Sequence, residues 1–428
     1  MTEPLQAWSV VLEDIDHCNK CGFCLPACPT YQLTGSELDS PRGRIAMVEA
    51  AARQEIEVGP GLEESLTYCL ACRACETACP SGVPYHRILE AGLSQLRRLR
   101  PHRLRWASRG MLTLVRHARW LGSLSAMGSH AKQWPMPEAL APLVPLMGYQ
   151  SQSVPVLPQP EHPRAHVSFF RGCVMSAVFP DANHSAENLL KRAKVAVDTP
   201  GGQKCCGALH LHAGEHETAL AMAKQNILAF EAGGDDLIVN TAGGCGAMLM
   251  EYGELLKGDP VWAERARNFS SRVRDWSTVF RPLADFVPLE GGSERVLLQN
   301  SCHLVNVEHA GQDASNLAGS VEGDQFVPYS GQDRCCGSAG IYNIEHPAWS
   351  AAILDSKMSA VASLKPDRIL VNNPGCHLQM RWGAERAGLA AASVEHLATY
   401  LEQAARRAED HHAHTAEGGP AGGQTQNS

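Results

Sequence analysis

The spacing of hydrophobic residues divides the chain into a helical first part and a later part in which short strands alternate with helices. Within residues 42–56, apolar side chains recur at the three- and four-residue intervals of a helix and do not alternate as in a strand. These positions are Ile45, Val48, Ala52 and Ile56. The first 100 residues are therefore predicted to form a helical domain.

Four short apolar runs in the later part are typical of buried strands. They are VSFFRGC at 167–173, LIVN at 237–240, RVLLQNSC at 295–302 and ILVN at 369–372. Residues 217–233, between the first two runs, have helical spacing and end in glycine. Each run leads into a cysteine, directly or through a glycine-rich turn. Sites in α/β sheets gather outside the carboxyl ends of strands, where these cysteines would lie.

The later part also contains one cysteine pattern twice, which indicates an internal repeat. The first set is Cys173, Cys205, Cys206 and Cys245, and the second set is Cys302, Cys335, Cys336 and Cys376. The first cysteine precedes the adjacent pair by 32 and 33 positions, and the last follows it by 39 and 40. We call residues 164–292 the first CCG half and residues 293–406 the second CCG half, after the Cys-Cys-Gly in each. The predicted fold class is α+β and multidomain, with the helical region at 1–100 followed by two repeated α/β halves.

Residues 101–163 are predicted to connect the helical region to the first CCG half. Residues 91–137 contain no Asp or Glu but eight arginines, interleaved with apolar residues between 97 and 121. Two interpretations stay open: an amphipathic helix that contacts a membrane surface or an acidic partner, or a helix packed on its own domain with a solvated basic face. Eight prolines between 135 and 163 predict a linker, and the polar, glycine-rich residues 407–428 predict a disordered tail.

Composition narrows the class of protein. The chain has 428 residues, 44% hydrophobic and 19% charged, which is enough for several folded domains. A formal net charge of −8 argues against nucleic acid as the main partner. No secretory signal pattern opens the sequence, and no apolar run approaches the roughly 20 residues of a spanning helix. These features predict a cytoplasmic protein, peripheral at most on the inner face of the cytoplasmic membrane through residues 97–121.

Eight of the sixteen cysteines form two C-x2-C-x2-C-x3-C-P runs within the helical region. They are Cys18, Cys21, Cys24 and Cys28 before Pro29, and Cys69, Cys72, Cys75 and Cys79 before Pro80. Clustered cysteines in a protein without an export signal indicate metal rather than disulfides, and this run is typical of 4Fe–4S clusters. Zinc sites are the alternative, but zinc usually takes its ligands as two separated pairs.

The fourth cysteine of such a run ligates the other cluster in two-cluster proteins. Cluster one is therefore assigned to Cys18, Cys21, Cys24 and Cys79, and cluster two to Cys69, Cys72, Cys75 and Cys28. Two nearby arginines, Arg42 and Arg44, are either braces for the anionic clusters or part of a solvated basic turn.

The eight CCG cysteines leave three interpretations open: one or two further clusters, a structural or redox dithiol, or buried inert thiols. Adjacent cysteines cannot easily ligate one metal, but they can bridge neighbouring irons of a larger cluster. His303 and His377 each follow a cysteine and either contact a cluster or lie on the surface. Glu215 and Glu345, at matching offsets in the two halves, are interpreted as helix-start residues rather than acid–base catalysts.

Several motifs, in this order, resemble the iron–sulfur subunit of bacterial glycolate oxidase over about residues 1–405. The matching segments are HCNKCGFCLPACPTYQLTGSELDSPRGR (17–44), YCLACRACETACPSGVPYH (68–86), CCGALHLH (205–212), TAGGCGAMLMEYG (241–253) and CCGSAG (335–340). Broader relatives with this layout are the lactate-utilisation iron–sulfur protein, the iron–sulfur subunit of anaerobic glycerol-3-phosphate dehydrogenase and the CCG-containing subunit of heterodisulfide reductase. In heterodisulfide reductase each CCG module ends in C-x-x-C. In this chain the last position of that motif is Met248 in the first half and Gln379 in the second half.

The resemblance implies that a separate FAD subunit oxidises glycolate to glyoxylate and that this chain relays electrons toward a quinone or another membrane acceptor. Catalytic residues are not expected in this chain, because it has neither a G-x-G-x-x-G after a strand nor a Ser/His/Asp or paired-carboxylate arrangement. The alternatives are the lactate and glycerol-3-phosphate systems, or thiol/disulfide catalysis at the CCG cysteines.

Overall fold

The computed structural model describes residues 11–99, 106–116, 149, 151–234 and 236–417. In the N-terminal region, residues 11–15 are helical and five further helices follow. These are α1 (Pro29–Thr34), α2 (Pro41–Ala52), α3 (Pro60–Thr67), α4 (Ala74–Thr77) and α5 (Tyr85–Leu99). Their buried side chains, Val48, Leu66 and Ile88 among them, form one core that also includes Cys75. The prediction of a helical region is confirmed.

The helix predicted at 42–56 is confirmed only as far as Ala52. Arg53 ends α2, and Gln54 has a φ of 63°, which a continuing helix does not allow. Ile56 is 40% exposed, so its helical spacing was coincidental.

The described part of the connector forms one helix, α6 (Trp106–Arg116). Leu112 and Val115 are buried against residues of the CCG halves, while Trp106 is 70% exposed. The apolar face of α6 is therefore covered by the chain itself, as in the second interpretation of this segment. Residues 117–121 lie outside the described residues, and membrane contact stays a prediction.

The proline-rich segment has neither helix nor strand at 151–163, yet it is not a free linker. Asn188 donates to the carbonyl of Pro155 at 2.7 Å and accepts from the backbone N–H of Leu157 at 2.9 Å. These two bonds hold the segment on the first CCG half. They also give both ends of the buried Asn188 amide a hydrogen-bond partner, which a buried amide requires. Residues 135–148 and 150 lie outside the described residues.

The first CCG half is a parallel sheet covered by helices. Its strands are β1 (Ala165–Phe170), β2 (Val195–Asp198), β3 (Leu237–Asn240) and β4 (Val273–Asp275), in the order β2-β1-β3-β4. Its helices are α7 (Cys173–Val178), α8 (Pro180–Arg192), α9 (Ala208–His212), α10 (His216–Glu231), α11 (Gly243–Met250), α12 (Tyr252–Leu255), α13 (Ala263–Arg272) and α14 (Trp276–Phe280). The pairs β1–β2, β1–β3 and β3–β4 are all parallel.

The second CCG half repeats this topology. Its strands are β5 (Arg295–Gln299), β6 (Gln325–Phe326), β7 (Arg368–Val371) and β8 (Val394–His396), in the order β6-β5-β7-β8. Its helices are α15 (Cys302–Asn306), α16 (Gly311–Ala318), α17 (Tyr342–Glu345), α18 (Pro347–Ser363), α19 (Pro374–Arg386) and α20 (Leu397–Glu417). The predicted duplication of an α/β unit is confirmed, whereas the domain boundaries at 100, 163, 292 and 406 stay predictions.

One hydrophobic core joins the two halves, with Phe169 and Trp276 from the first and Leu298 and Leu401 from the second. The prediction of disorder from residue 407 is wrong as far as Glu417, because α20 continues there. Ala408 is buried on this helix, and His411 Nδ1 lies 3.0 Å from Glu290 Oε2. Residues 418–428 lie outside the described residues. Among the helices described, none is long and apolar enough to span a bilayer.

Candidate functional site

The two cysteine runs of the N-terminal region fold in the same unusual way. Lys20 and Gly22 in the first run have φ angles of 55° and 87°, and Ala71 and Arg73 at the equivalent positions of the second have 49° and 61°. A positive φ is costly for residues other than glycine and persists where the surrounding structure requires it. The two runs therefore share one loop conformation.

The first loop and the end of the second run enclose a small cavity of about 30 Å³. Cys18, Cys21, Cys24 and Cys79, the four ligands predicted for cluster one, all line it, and so does Cys75, which was assigned to cluster two. Cys21 is exposed, so this site lies close to the protein surface. The thiols are free of disulfides, as metal ligation requires.

The structure also places Cys28 beside the second run. Burial raises the pKa of Cys72 and of Cys75 well above the ordinary value, and the charge of Cys28 raises both further. Cys69 accepts the hydroxyl hydrogen bond of Tyr85 at 3.6 Å. Buried thiols of this kind are deprotonated by a bound metal rather than by solvent. The assignment of Cys28 to cluster two stays a prediction.

Arg44 lies between the two runs and is 1% exposed. It donates to the carbonyl of Ser65 at 2.7 Å and to Thr30 Oγ1 at 3.2 Å. Burial lowers the pKa of Arg44, but Tyr85, Cys69 and Cys28 more than offset this and raise it above the ordinary value. The guanidinium is therefore a fixed positive charge beside both runs, so the brace interpretation fits Arg44.

Arg42, by contrast, is partly exposed. It donates to the carbonyl of Lys20 at 3.0 Å and pairs with Glu37. Its side chain therefore supports the backbone of the first loop at the protein surface.

In each CCG half the four cysteines form one continuous group of thiols at the carboxyl end of the sheet. Neighbouring thiols contact one another, with Cys173 Sγ 3.3 Å from Cys205 Sγ and Cys336 Sγ 3.4 Å from Cys376 Sγ. We call the groups the first quartet (Cys173, Cys205, Cys206, Cys245) and the second quartet (Cys302, Cys335, Cys336, Cys376).

Helix starts and glycines shape both quartets. Cys173 begins α7 and Cys302 begins α15, where the helix dipole favours negative charge such as a thiolate. The glycine after each Cys-Cys pair has a φ near 90°, and a Cβ on Gly337 would lie 2.8 Å from the carbonyl oxygen of Ser350. Glycine is therefore required at position 337, because the backbone there lies too close to the carbonyl of Ser350 to leave room for a side chain.

The quartets differ in their nearest charge. Lys357 is 8% exposed, donates to the carbonyl of Gly331 at 2.6 Å and lies near all four thiols of the second quartet. Burial lowers the pKa of Lys357, and the thiols raise it in part. The matching position of the first half is the apolar Ile227. Only the second quartet, within the described residues, thus has a buried lysine against it.

The thiols suit a cluster better than a single ion. Among the described residues, no three cysteine, histidine, aspartate or glutamate side chains surround a common point for one metal ion. In an iron–sulfur cluster each thiolate binds a different iron, whereas the ligands of a zinc site share one ion.

The second cysteine run contacts the second CCG half directly. Asn306 donates to the carbonyl of Cys72 at 2.9 Å, and His303 Nε2 lies 3.0 Å from the carbonyl oxygen of Ala71. Cys72, Cys302 and Cys335 belong to one apolar cluster. The second run and the second quartet are therefore neighbours.

A central cavity of about 300 Å³ lies where the N-terminal region meets both CCG halves. Both quartets and Cys69 line it. His303 also lines it and is half-buried, so this residue faces the internal cavity and not the outer surface. His377 is fully buried, but it stacks on Phe179, donates toward the carbonyl of Val394 and is not part of the cavity wall.

The two glutamates at matching offsets have different roles. Glu215 precedes α10 as expected, and its carboxylate lies 2.6 Å from His210 Nδ1. Glu345 instead ends α17, accepts a hydrogen bond from Ser108 of α6 and lines the central cavity. Sequence spacing did not reveal this contact, because Ser108 lies 237 positions away.

Comparison with known proteins agrees with this arrangement. A model of the 4Fe-4S dicluster domain matches residues 14–83, and a model of the cysteine-rich domain matches residues 167–250 and 296–381. The probable glycolate oxidase iron-sulfur subunit of Bacillus subtilis is 41% identical over 422 residues, covering 91% of this chain and 94% of that relative. The chain belongs to the family of glycolate oxidase iron-sulfur subunits.

A second member of this family, from Escherichia coli, is 34% identical over 405 residues, covering 90% of this chain and 93% of that relative. Lactate utilization protein A of Oceanobacillus iheyensis is 29% identical over 223 residues, covering 52% of this chain and 91% of that relative. The family resemblance predicted from the motifs is confirmed, and the lactate-utilisation alternative matches only part of the chain.

Proposed function

We propose that this chain is the electron-transfer subunit of a complex that oxidises glycolate to glyoxylate. Electrons come from an FAD-containing partner subunit and leave toward a quinone or another acceptor. The observation that carries the proposal is the near-full-length similarity to two glycolate oxidase iron-sulfur subunits. The converging thiols of residues 18–79 support it, because a chain that only bound substrate would not need them.

In this proposal the eight N-terminal cysteines hold two 4Fe–4S clusters with the crossed ligand sets. When bound, each cluster supplies a one-electron site. Arg44 holds a compensating charge between them, and Asn306 and His303 hold the Ala71–Cys72 loop against the second CCG half. Electrons that reach the second run thus have a short path into the second half.

Both CCG quartets are also proposed to hold iron–sulfur clusters. Each half offers four contiguous thiols, one of them at a helix start, and Lys357 lies beside the second set, so both quartets supply the cysteine ligands that a cluster needs. The anaerobically purified chain is expected to contain about sixteen irons, and Cys206→Ala or Cys336→Ala about four fewer. A content of about eight irons, unchanged by either substitution, contradicts clusters in the halves.

The relay proposal is tested by anaerobic affinity purification from the native host, followed by dye reduction with glycolate, D- and L-lactate and glycerol 3-phosphate. We expect a flavoprotein to co-purify and glycolate to react at least about tenfold faster than the other substrates. Dye reduction with lactate alone supports the lactate-utilisation alternative. Absence of both a flavoprotein partner and a reactive substrate overturns the relay.

A further inference from the structure

The central cavity extends beyond the cysteines. Its far wall is formed by Leu93 and Arg97 of α5, Met111 of α6, Leu209 of α9 and the loop residue Ile341. Clusters bound to the quartets do not use this wall, because it carries no cysteine. The volume of about 300 Å³ covers the whole cavity, the cysteine-lined part included, and the side chains of the far wall are mainly aliphatic.

Charges at the cavity wall offset one another. Arg73 pairs with Glu76 and Glu251, and Arg97 lies in the field of Glu345, Glu63 and Glu215. Burial lowers the pKa of His212 to about 4, so this ring is neutral at pH 7. Burial also raises the pKa of Glu90, which favours its uncharged form. A wall of this kind does not select an organic anion and suits an uncharged, largely apolar molecule.

Both quartets line the cavity, one from each half of the repeat. A molecule held there would lie beside both groups of thiols. His212 also lines the cavity, and its neutral ring offers a hydrogen-bond donor to a carbonyl oxygen.

We propose that this cavity binds the ring of a quinone and is the place where electrons leave the chain. The inference rests on the proposed function for its electron source. Glycolate loses two electrons and two protons to become glyoxylate, and the quinone gains two electrons and two protons to become a hydroquinone. Electrons and protons therefore balance without a further reactant.

The test uses the full complex with decylubiquinone as acceptor, beside a soluble dye. Leu93→Trp and Met111→Trp each fill the far wall and leave every cysteine in place, and each is expected to raise the KM for decylubiquinone at least about tenfold. Dye reduction by glycolate should stay within about twofold of the parent complex. Leu228→Trp, at a site on α10 that is 53% exposed, is the matched control and should change neither rate.

A binding measurement separates this inference from the relay proposal. Calorimetric titration of the oxidised chain with decylubiquinone should show binding that both cavity variants weaken. If glycolate reduces the dye but quinone affinity is the same in both variants and the parent, the cavity site is overturned and the relay stands. If glycolate reduces nothing while the cavity variants still weaken quinone binding, the relay fails and the site stands.

Thiol chemistry in the same cavity gives a different pattern. If the reduced complex cleaves an aromatic disulfide and both cavity variants slow that reaction without affecting decylubiquinone, the quinone inference is overturned.

Discussion

A chain with Cys28→Ala is expected to lose about four irons and at least about a hundredfold of its glycolate-dependent dye reduction. The physical reason is that a cluster with three protein ligands is labile, and the loss of one site interrupts the relay. Iron analysis and dye assays on the anaerobically purified complex measure both effects. A normal amount of co-purified flavoprotein excludes a failure of assembly.

Paired substitutions test which cluster Cys28 serves. In the crossed arrangement Cys28 and Cys69 hold the same cluster, so Cys28→Ala with Cys69→Ala should remove no more iron than either change alone. Cys28→Ala with Cys18→Ala should remove about twice as much, because these residues hold different clusters. The reverse result, with Cys28 and Cys18 acting as one site, would show that each run keeps its own cluster.

Replacement of Arg44 by methionine is expected to destabilise the N-terminal region by about 3 to 5 kcal/mol. The substitution keeps much of the volume but leaves the carbonyl of Ser65 and Thr30 Oγ1 without their donor. It also removes the only buried arginine beside both cysteine runs in the part of the chain described. The midpoint of thermal unfolding of the holoprotein under anaerobic conditions measures the effect.

Arg53→Met is the matched control, because Arg53 is 46% exposed and pairs with Glu49 on the helix surface. Its effect should stay below about 1 kcal/mol. Arg44→Lys is expected to recover only part of the stability, since an ammonium cannot reproduce the directions of the guanidinium donors. Equal unfolding midpoints for Arg44→Met and Arg53→Met would contradict the structural role of the buried charge.

Several features were predictable from residue spacing because they depend on neighbours along the chain. The two cysteine runs, the duplicated CCG pattern and the strands before each cysteine were all predicted correctly as elements. Errors arose where local composition and packing disagreed. The polar residues 407–417 are helical because α20 packs along α8 and the core, and Ile56 is exposed because α2 has already ended.

The sequence by itself therefore determined the class of chemistry, the number of cysteine sets and the order of the domains. The tertiary structure alone decided which sets are neighbours: Cys72 meets Asn306 across 234 positions, and Glu345 meets Ser108 across 237. It also decided that Arg44 is buried, that His303 faces an internal cavity and that three separate segments enclose this cavity. The reason is physical: spacing encodes the local turn or strand, whereas contacts between distant segments depend on how completed elements pack their buried faces.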